Sequence, residues 1–254
     1  MATQRVAPMP EAACEAFFFD VETMDANEEA VDRDFAENYE TPKNYKDPEA
    51  IERHRADARV KWTEKAALLD AAPVAMVGIM FEEETFLLHG LKAEKAKWFG
   101  KNGAKNRVSI EGFASEKELM QMVCRLLTKK VGQETRGVTH NGFGFDLGKV
   151  RLAIVRNGLP LPEIFRVLHL DDEERQPWAD TMRMYCRYFA RAGQLFIKQE
   201  TMLENLGIEP LLKNVATGAD VPVLLKNGKI NEVAAKLLAD LVGLRSAFTK
   251  MTGR

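Results

Sequence analysis

The segment Phe17-Phe18-Phe19-Asp20-Val21-Glu22-Thr23 constrains this chain more than any other. An apolar run of that length reads as a buried strand, where an unpaired carboxylate is costly and survives only with a partner or a metal. Side chains alternate along a strand, so Asp20 and Glu22 point to one face. Two carboxylates converging at the middle of a sheet make a hard-oxygen site suited to Mg²⁺ or Mn²⁺. A strand end whose acids simply reach water is the alternative.

The 254 residues, 46% of them hydrophobic, allow one large domain or two small ones with an ample core. The stretch from Met1 to Ala13 lacks the apolar segment of a secretory signal, and no later run approaches a membrane span. These features predict a soluble, cytoplasmic protein that does not engage a membrane. Cys14, Cys124 and Cys186 are far apart and odd in number, which fits reduced thiols and offers no zinc spacing. A net charge of −2 confines any nucleic-acid role to local basic patches.

Past the first strand, Asp25 to Lys46 is polar and reads as an extended surface loop with room for a short helix. A helix then begins with Asp47 as cap and Pro48 in its first turn, with Ile51, Ala58, Trp62 and Leu69 on one side. Residues 74–81 and 85–89 form two strand-like runs joined by a short acidic turn, an antiparallel hairpin. Ser115 opens a helix to about Lys130, with Glu118 completing a capping-box pattern. A short strand at Gly137 to His140 leads into a helix over roughly 145–157, which Gly158 and Pro160 stop. Residues 178–182 read as a last strand, and the remainder is mostly helical. The order predicts an α/β fold, a mixed sheet flanked by helices.

Two further acids stand out. Asp146 closes the glycine-rich turn His140-Asn141-Gly142-Phe143-Gly144-Phe145-Asp146, where it either serves a site or simply favours the start of its helix. Asp240 sits among Val233, Leu237, Leu241, Leu244 and Phe248 on the apolar side of a helix over about 230–251, and an acid in that company asks for a cation.

The Asp-x-Glu-Thr strand, the Asn-x-x-x-Phe-Asp turn and a C-terminal helix with a last Asp, in that order, resemble the DnaQ-like (DEDD) 3′-to-5′ exonucleases of the ribonuclease-H-like superfamily. Stand-alone members from phages are included in the likeness, and Trp178 to Met182 is similar to a strand lying between the family's second and third motifs. The resemblance implies a single exonuclease domain over 1–254, with 25–72 a loop-plus-helix insertion between the first two strands. It also implies that Asp20, Glu22, Asp146 and Asp240 are catalytic and hold two Mg²⁺ or Mn²⁺ ions. Such a pair, about 4 Å apart, grips the attacking water and the leaving oxygen of a phosphodiester. Thr23 and Met24 fall where relatives meet the terminal nucleotide, and Asn141 and Phe145 frame the second motif, so the resemblance places all four on the substrate side. The implied substrate is single-stranded DNA, with a separate polymerase or repair protein as partner, and an exoribonuclease or a catalytically silent binding relative as alternatives.

The chain departs from the family pattern at the water-activating group. Relatives carry a Tyr four residues before the last Asp or a His five before it, and here those positions are Lys236 and Ala235. Losing a positioned base typically lowers a rate by about 10²–10⁴. Lys236 and His140 are the candidate replacements, with His169 behind them. Against that, Glu232, Lys236 and Asp240 are spaced four apart, as in a helix-surface ion pair. Two basic stretches fit a nucleic-acid backbone: residues 92–107, read as a loop holding Trp98 and Phe99, and a helical face with Arg183, Arg187 and Arg191 beside Tyr185, Tyr188 and Phe189. Both patterns also occur on plain solvated surfaces.

Overall fold

The aromatic run becomes an interior strand of a seven-stranded mixed sheet in the computed structural model, which describes residues 15–99, 107–166, 177–190, 193–209, 211–212 and 216–253. The strands are β1 (Ala16–Thr23), β2 (Val74–Met80), β3 (Glu84–His89), β4 (Glu94–Phe99), β5 (Arg107–Gly112), β6 (Arg136–Thr139) and β7 (Trp178–Asp180), ordered β4-β5-β3-β2-β1-β6-β7. β1 runs antiparallel to β2 over Phe18–Thr23 and parallel to β6 over Ala16–Phe18, so the two ladders together hold it along its length. The β2–β3 hairpin forms as expected, and Cys14, His169 and Arg191 lie outside the described residues.

Alternation along β1 builds two cores. Phe17, Phe19 and Val21 pack with α3 (Glu116–Lys130) and α4 (Asp146–Arg156) on one face. Phe18 packs on the other with Met76, Met80 and Leu87 and with Val233, Leu237, Leu241, Leu244 and Phe248 of the last helix, Ile230–Thr252. Burying one side chain of that size contributes roughly 1.5–3 kcal/mol, so five of them seat this helix firmly on the sheet. Gly78 lies opposite Asp20 in register, and a Cβ there would stand 2.7 Å from Leu241 Cδ1 and 2.9 Å from Leu237 Cγ. Its missing side chain is what lets the helix descend beside the acids.

Three sequence expectations are corrected. Residues 25–46 are not chiefly loop, because Asn27 accepts a hydrogen bond from Ala30 N and starts α1 (Glu28–Asn38), which buries only Ala30, Val31 and Phe35 and therefore looks polar in sequence. Residues 92–107 contribute β4, an exposed lysine-bearing edge strand paired with β5, with the Arg107 guanidinium 4.7 Å over the Trp98 ring. The strand expected through Met182 ends at Asp180, whose carboxylate caps α6 (Thr181–Tyr188) by accepting from Met182 N. Between α4 and α6 lies α5 (Glu163–Arg166), and beyond α6 come α7 (Gln199–Asn205), α8 (Val221–Lys226) and α9, the helix Ile230–Thr252.

α2 (Pro48–Glu64) starts at Asp47 as expected, while Leu69 lies past its end, after a short 3₁₀ turn at Ala66–Leu68. This insertion has a small apolar cluster of its own, Ala26, Ala30, Val31, Ala66 and Ala72. Lys149 and Arg156 of α4 tie its far end down: Lys149 donates to Leu68 O at 2.9 Å and to Leu69 O, and Arg156 to Asp70 O at 3.1 Å. Among the described residues no helix is long and apolar enough to cross a membrane.

Candidate metal centre

Three segments distant in sequence meet at the ends of β1 and α4 and the middle of α9. Asp20, Glu22 and Asp240 each offer a carboxylate oxygen within 4.8 Å of the others. Asp146, buried at the first turn of α4, lies near enough for its charge to raise the pKa of Asp20, and Glu22 raises that of Asp146 in turn. All four acids of the sequence reading are thus brought into one region.

Their electrostatics are those of a site short of positive charge. Burial, then the charges of Asp146, Asp240 and Glu22, hold Asp20 well above the usual carboxylate range. Burial pushes Asp146 up to about 8, although backbone hydrogen bonds from Asp146 itself and Val21 pull the other way. Glu22 is raised by burial, against the lowering effect of Lys236.

Lys236 is the residue that local spacing could only half explain. Its Nζ donates to Asp240 Oδ2 at 2.7 Å, the i to i+4 contact, and also to Glu22 Oε1 at 2.6 Å. The surface-pair reading is corrected on both counts: the Lys236 side chain is 13% exposed, and Glu232 pairs instead with Lys229 at 3.1 Å. Burial alone would lower the Lys236 pKa, but Glu22, Asp240 and Asp20 together hold it above the ordinary lysine value. A charged ammonium so held is a weak candidate for a base. Its ammonium is the cation these carboxylates hold here, and an all-carboxylate donor set is of the kind that a hard metal ion takes.

The other candidates fall around this centre. His140 has both ring nitrogens engaged, Nδ1 3.0 Å from Thr181 Oγ1 and Nε2 3.0 Å from Ile197 O, and burial lowers its pKa. Thr23 Oγ1 donates to Ala67 O at 2.9 Å, tying β1 to the insertion, and Met24 packs against the α9-side core. Asn141 turns the chain at φ +58, a left-handed conformation that Asn tolerates. At Gly142 a Cβ would meet Thr139 Oγ1 at 2.1 Å, so glycine here serves the turn's own closure. Phe145 packs into the α3–α4 core beneath the Lys149 ammonium. Arg183 lies 4.5 Å over the Phe143 ring beside the turn, and Arg187 lies 5.6 Å over Tyr188.

Sequence reasoning treated Asp180 only as part of a strand. Its Oδ1 accepts from Asn141 N and Met182 N at 3.0 Å each, so it fixes the turn before Asp146, while its buried Oδ2 has no partner among the described residues. The charge of Asp180 adds to the upward shift of Asp146. An aspartate followed by a helix was the only signal available for it. Comparison of the chain with protein-family models and with curated proteins finds no match.

Proposed function

We propose that this protein is a metal-dependent 3′-to-5′ exonuclease of ribonuclease-H-like fold, acting on the end of single-stranded nucleic acid, with DNA preferred, and releasing nucleoside monophosphates. The observation that carries the reading is the meeting of Asp20, Glu22 and Asp240, with Asp146 adjoining, around a buried cation. Four carboxylates are enough to hold a pair of Mg²⁺ or Mn²⁺ ions. When bound, such ions lower the pKa of a water and stabilise the leaving 3′ oxygen.

The residues then divide the remaining work. Asp20 and Glu22 on β1 and Asp240 on α9 would hold metal between sheet and helix, with Asp146 closing the side toward α4. Asp180 positions the Asn141 turn and, through it, the start of α4. Arg183, stacked on Phe143 of that turn, is placed to offer a phosphate contact.

End-labelled single strands of DNA and RNA, incubated with Mg²⁺ or Mn²⁺, test the reading. The expected result is stepwise shortening from the 3′ end of DNA, slower on RNA, and abolished by Asp20→Asn. Failure of the parent protein to shorten either strand refutes it.

One observation favours a second reading, a catalytically weak relative that binds nucleic acid or a protein partner. Lys236 stands where relatives carry a tyrosine and occupies carboxylates that a metal needs. Under that reading the strand is bound equally well by the parent and Asp20→Asn and is cut by neither.

A further inference from the structure

On the sheet face that carries the acids, a second polar feature lies near the other end of the β1–β2–β3 row. Glu22 pairs in register with Met76, and Met76 with His89, so His89 projects to the same face two strands away, roughly 10 Å across the sheet. His89 is fully buried, yet neither ring nitrogen has a hydrogen-bond partner among the described residues. Buried polar groups are nearly always satisfied, and one left open beside a cavity calls for a ligand or water.

A cavity of about 180 Å³ adjoins it, lined by His89, Lys97 and Phe99 together with Gly228, Ile230 and Asn231 at the start of α9. That is well beyond the space one water takes, about 30 Å³ in the liquid. α9 runs for 23 residues, and no side chain caps its N-terminus. The first N–H groups of such a helix, with its positive dipole end, form an anion site. Lys97 adds a cation and His89 an N–H donor. Glu94 also lines the cavity, but Lys92 and Lys97 each hold it at 3.6 Å and offset its charge.

We propose that this cavity is a phosphate subsite, in which the start of α9, Lys97 and His89 hold an internal phosphodiester of the strand whose 3′ end lies at the carboxylates. The choice of the strand as the source of the phosphate rests on the exonuclease reading. The donor set itself requires only a phosphate oxyanion. α9 passes over both places, with Asn231 at one and Asp240 at the other, about 13–14 Å apart along its axis at 1.5 Å per residue.

The test uses the complete chain in EDTA, so that nothing is cut. Binding of a labelled ten-residue oligothymidylate is followed by anisotropy from 50 to 200 mM salt for the parent, Lys97→Gln and Asn231→Asp. Both variants change exposed residues, so folding is preserved. Lys97→Gln is expected to weaken binding about 3- to 10-fold at low salt and to reduce the slope of log K against log salt by about 0.7. Asn231→Asp, which sets a negative charge at the helix start, should weaken it further.

Inorganic phosphate, followed by ³¹P line broadening, forms the second arm and should compete for the cavity in the parent only. Unchanged affinity and slope in both variants overturn the subsite, while shortening of DNA by the parent with Mn²⁺ would leave the exonuclease reading standing. Phosphate binding that Asn231→Asp abolishes, with strand affinity unmoved, overturns the strand as the source. A parent that neither binds nor cuts any strand overturns both.

Discussion

Replacing Lys236 by methionine isolates the claim that the carboxylate pocket holds a cation. Methionine keeps much of the side-chain volume but leaves Glu22 and Asp240 facing each other without the ammonium now 2.6 and 2.7 Å away. Removing one partner of a buried ion pair costs about 3–5 kcal/mol. The Asp240 side chain is 32% exposed, which places this case near the lower end, about 3 kcal/mol. For a chain of this length each 1 kcal/mol shifts Tm by about 2–4 °C, so Lys236→Met should melt about 6–12 °C below the parent in EDTA. Mn²⁺ at 100 times its dissociation constant returns about 2.7 kcal/mol, nearly the whole loss. The parent gains less, because the ion must first displace the ammonium. Thermal melts followed by circular dichroism, with and without Mn²⁺, give all four values. A variant melting within 2 °C of the parent, or a parent stabilised by Mn²⁺ as much as the variant, would refute the reasoning.

Two further expectations concern the same site. Without metal, the raised pKa values of Asp146, Asp20 and Glu22 mean that the folded chain keeps protons the unfolded chain has lost, so stability falls as pH rises from about 4, where unfolded carboxyls ionise, to about 8, where Asp146 does. Lys236, raised above its ordinary value, loses its contribution only above pH 10.5 and leaves that window untouched. The buried His89 and His140, lowered from 6.5, oppose this fall at lower pH, so melts in EDTA from pH 7 to 8 should show it and Mn²⁺ should flatten it, whereas a rise in stability across that interval would contradict the assigned shifts. Gly78→Ala should press on Leu237 and Leu241, cost about 1–3 kcal/mol by overpacking, and weaken Mn²⁺ binding by moving α9 off β1. Calorimetry showing parental Mn²⁺ affinity in that variant would detach α9 placement from the metal centre.

What the sequence made legible is what local pattern encodes. The alternation in β1 fixed Asp20 and Glu22 on one face, and the 3.6-residue stripe of α9 put Asp240 at the edge of its buried side. The cap residues Ser115 and Asp47 marked true helix starts. β4 escaped notice because an edge strand exposed on both sides shows no alternation, and its pairing with β5 depends on contacts such as Trp98 against Arg107. The bounds of α1 escaped because three buried residues leave little periodicity. The second partner of Lys236 was out of reach for a different reason, since Glu22 lies 214 positions away and only the closing of the sheet under α9 brings them together.

The interior position of β1 divides the four acids into two kinds. The β6 ladder holds β1 over Ala16–Phe18, and from Phe18 the β2 ladder continues beneath Asp20 and Glu22, so the backbone carrying these two acids moves only by breaking strand hydrogen bonds. Asp146 and Asp240 ride instead on helices seated by side-chain packing, which shift by rolling without breaking a ladder. An arriving ion therefore meets two anchored oxygen donors and two adjustable ones, and adaptation to ions of different radius falls to α4 and α9.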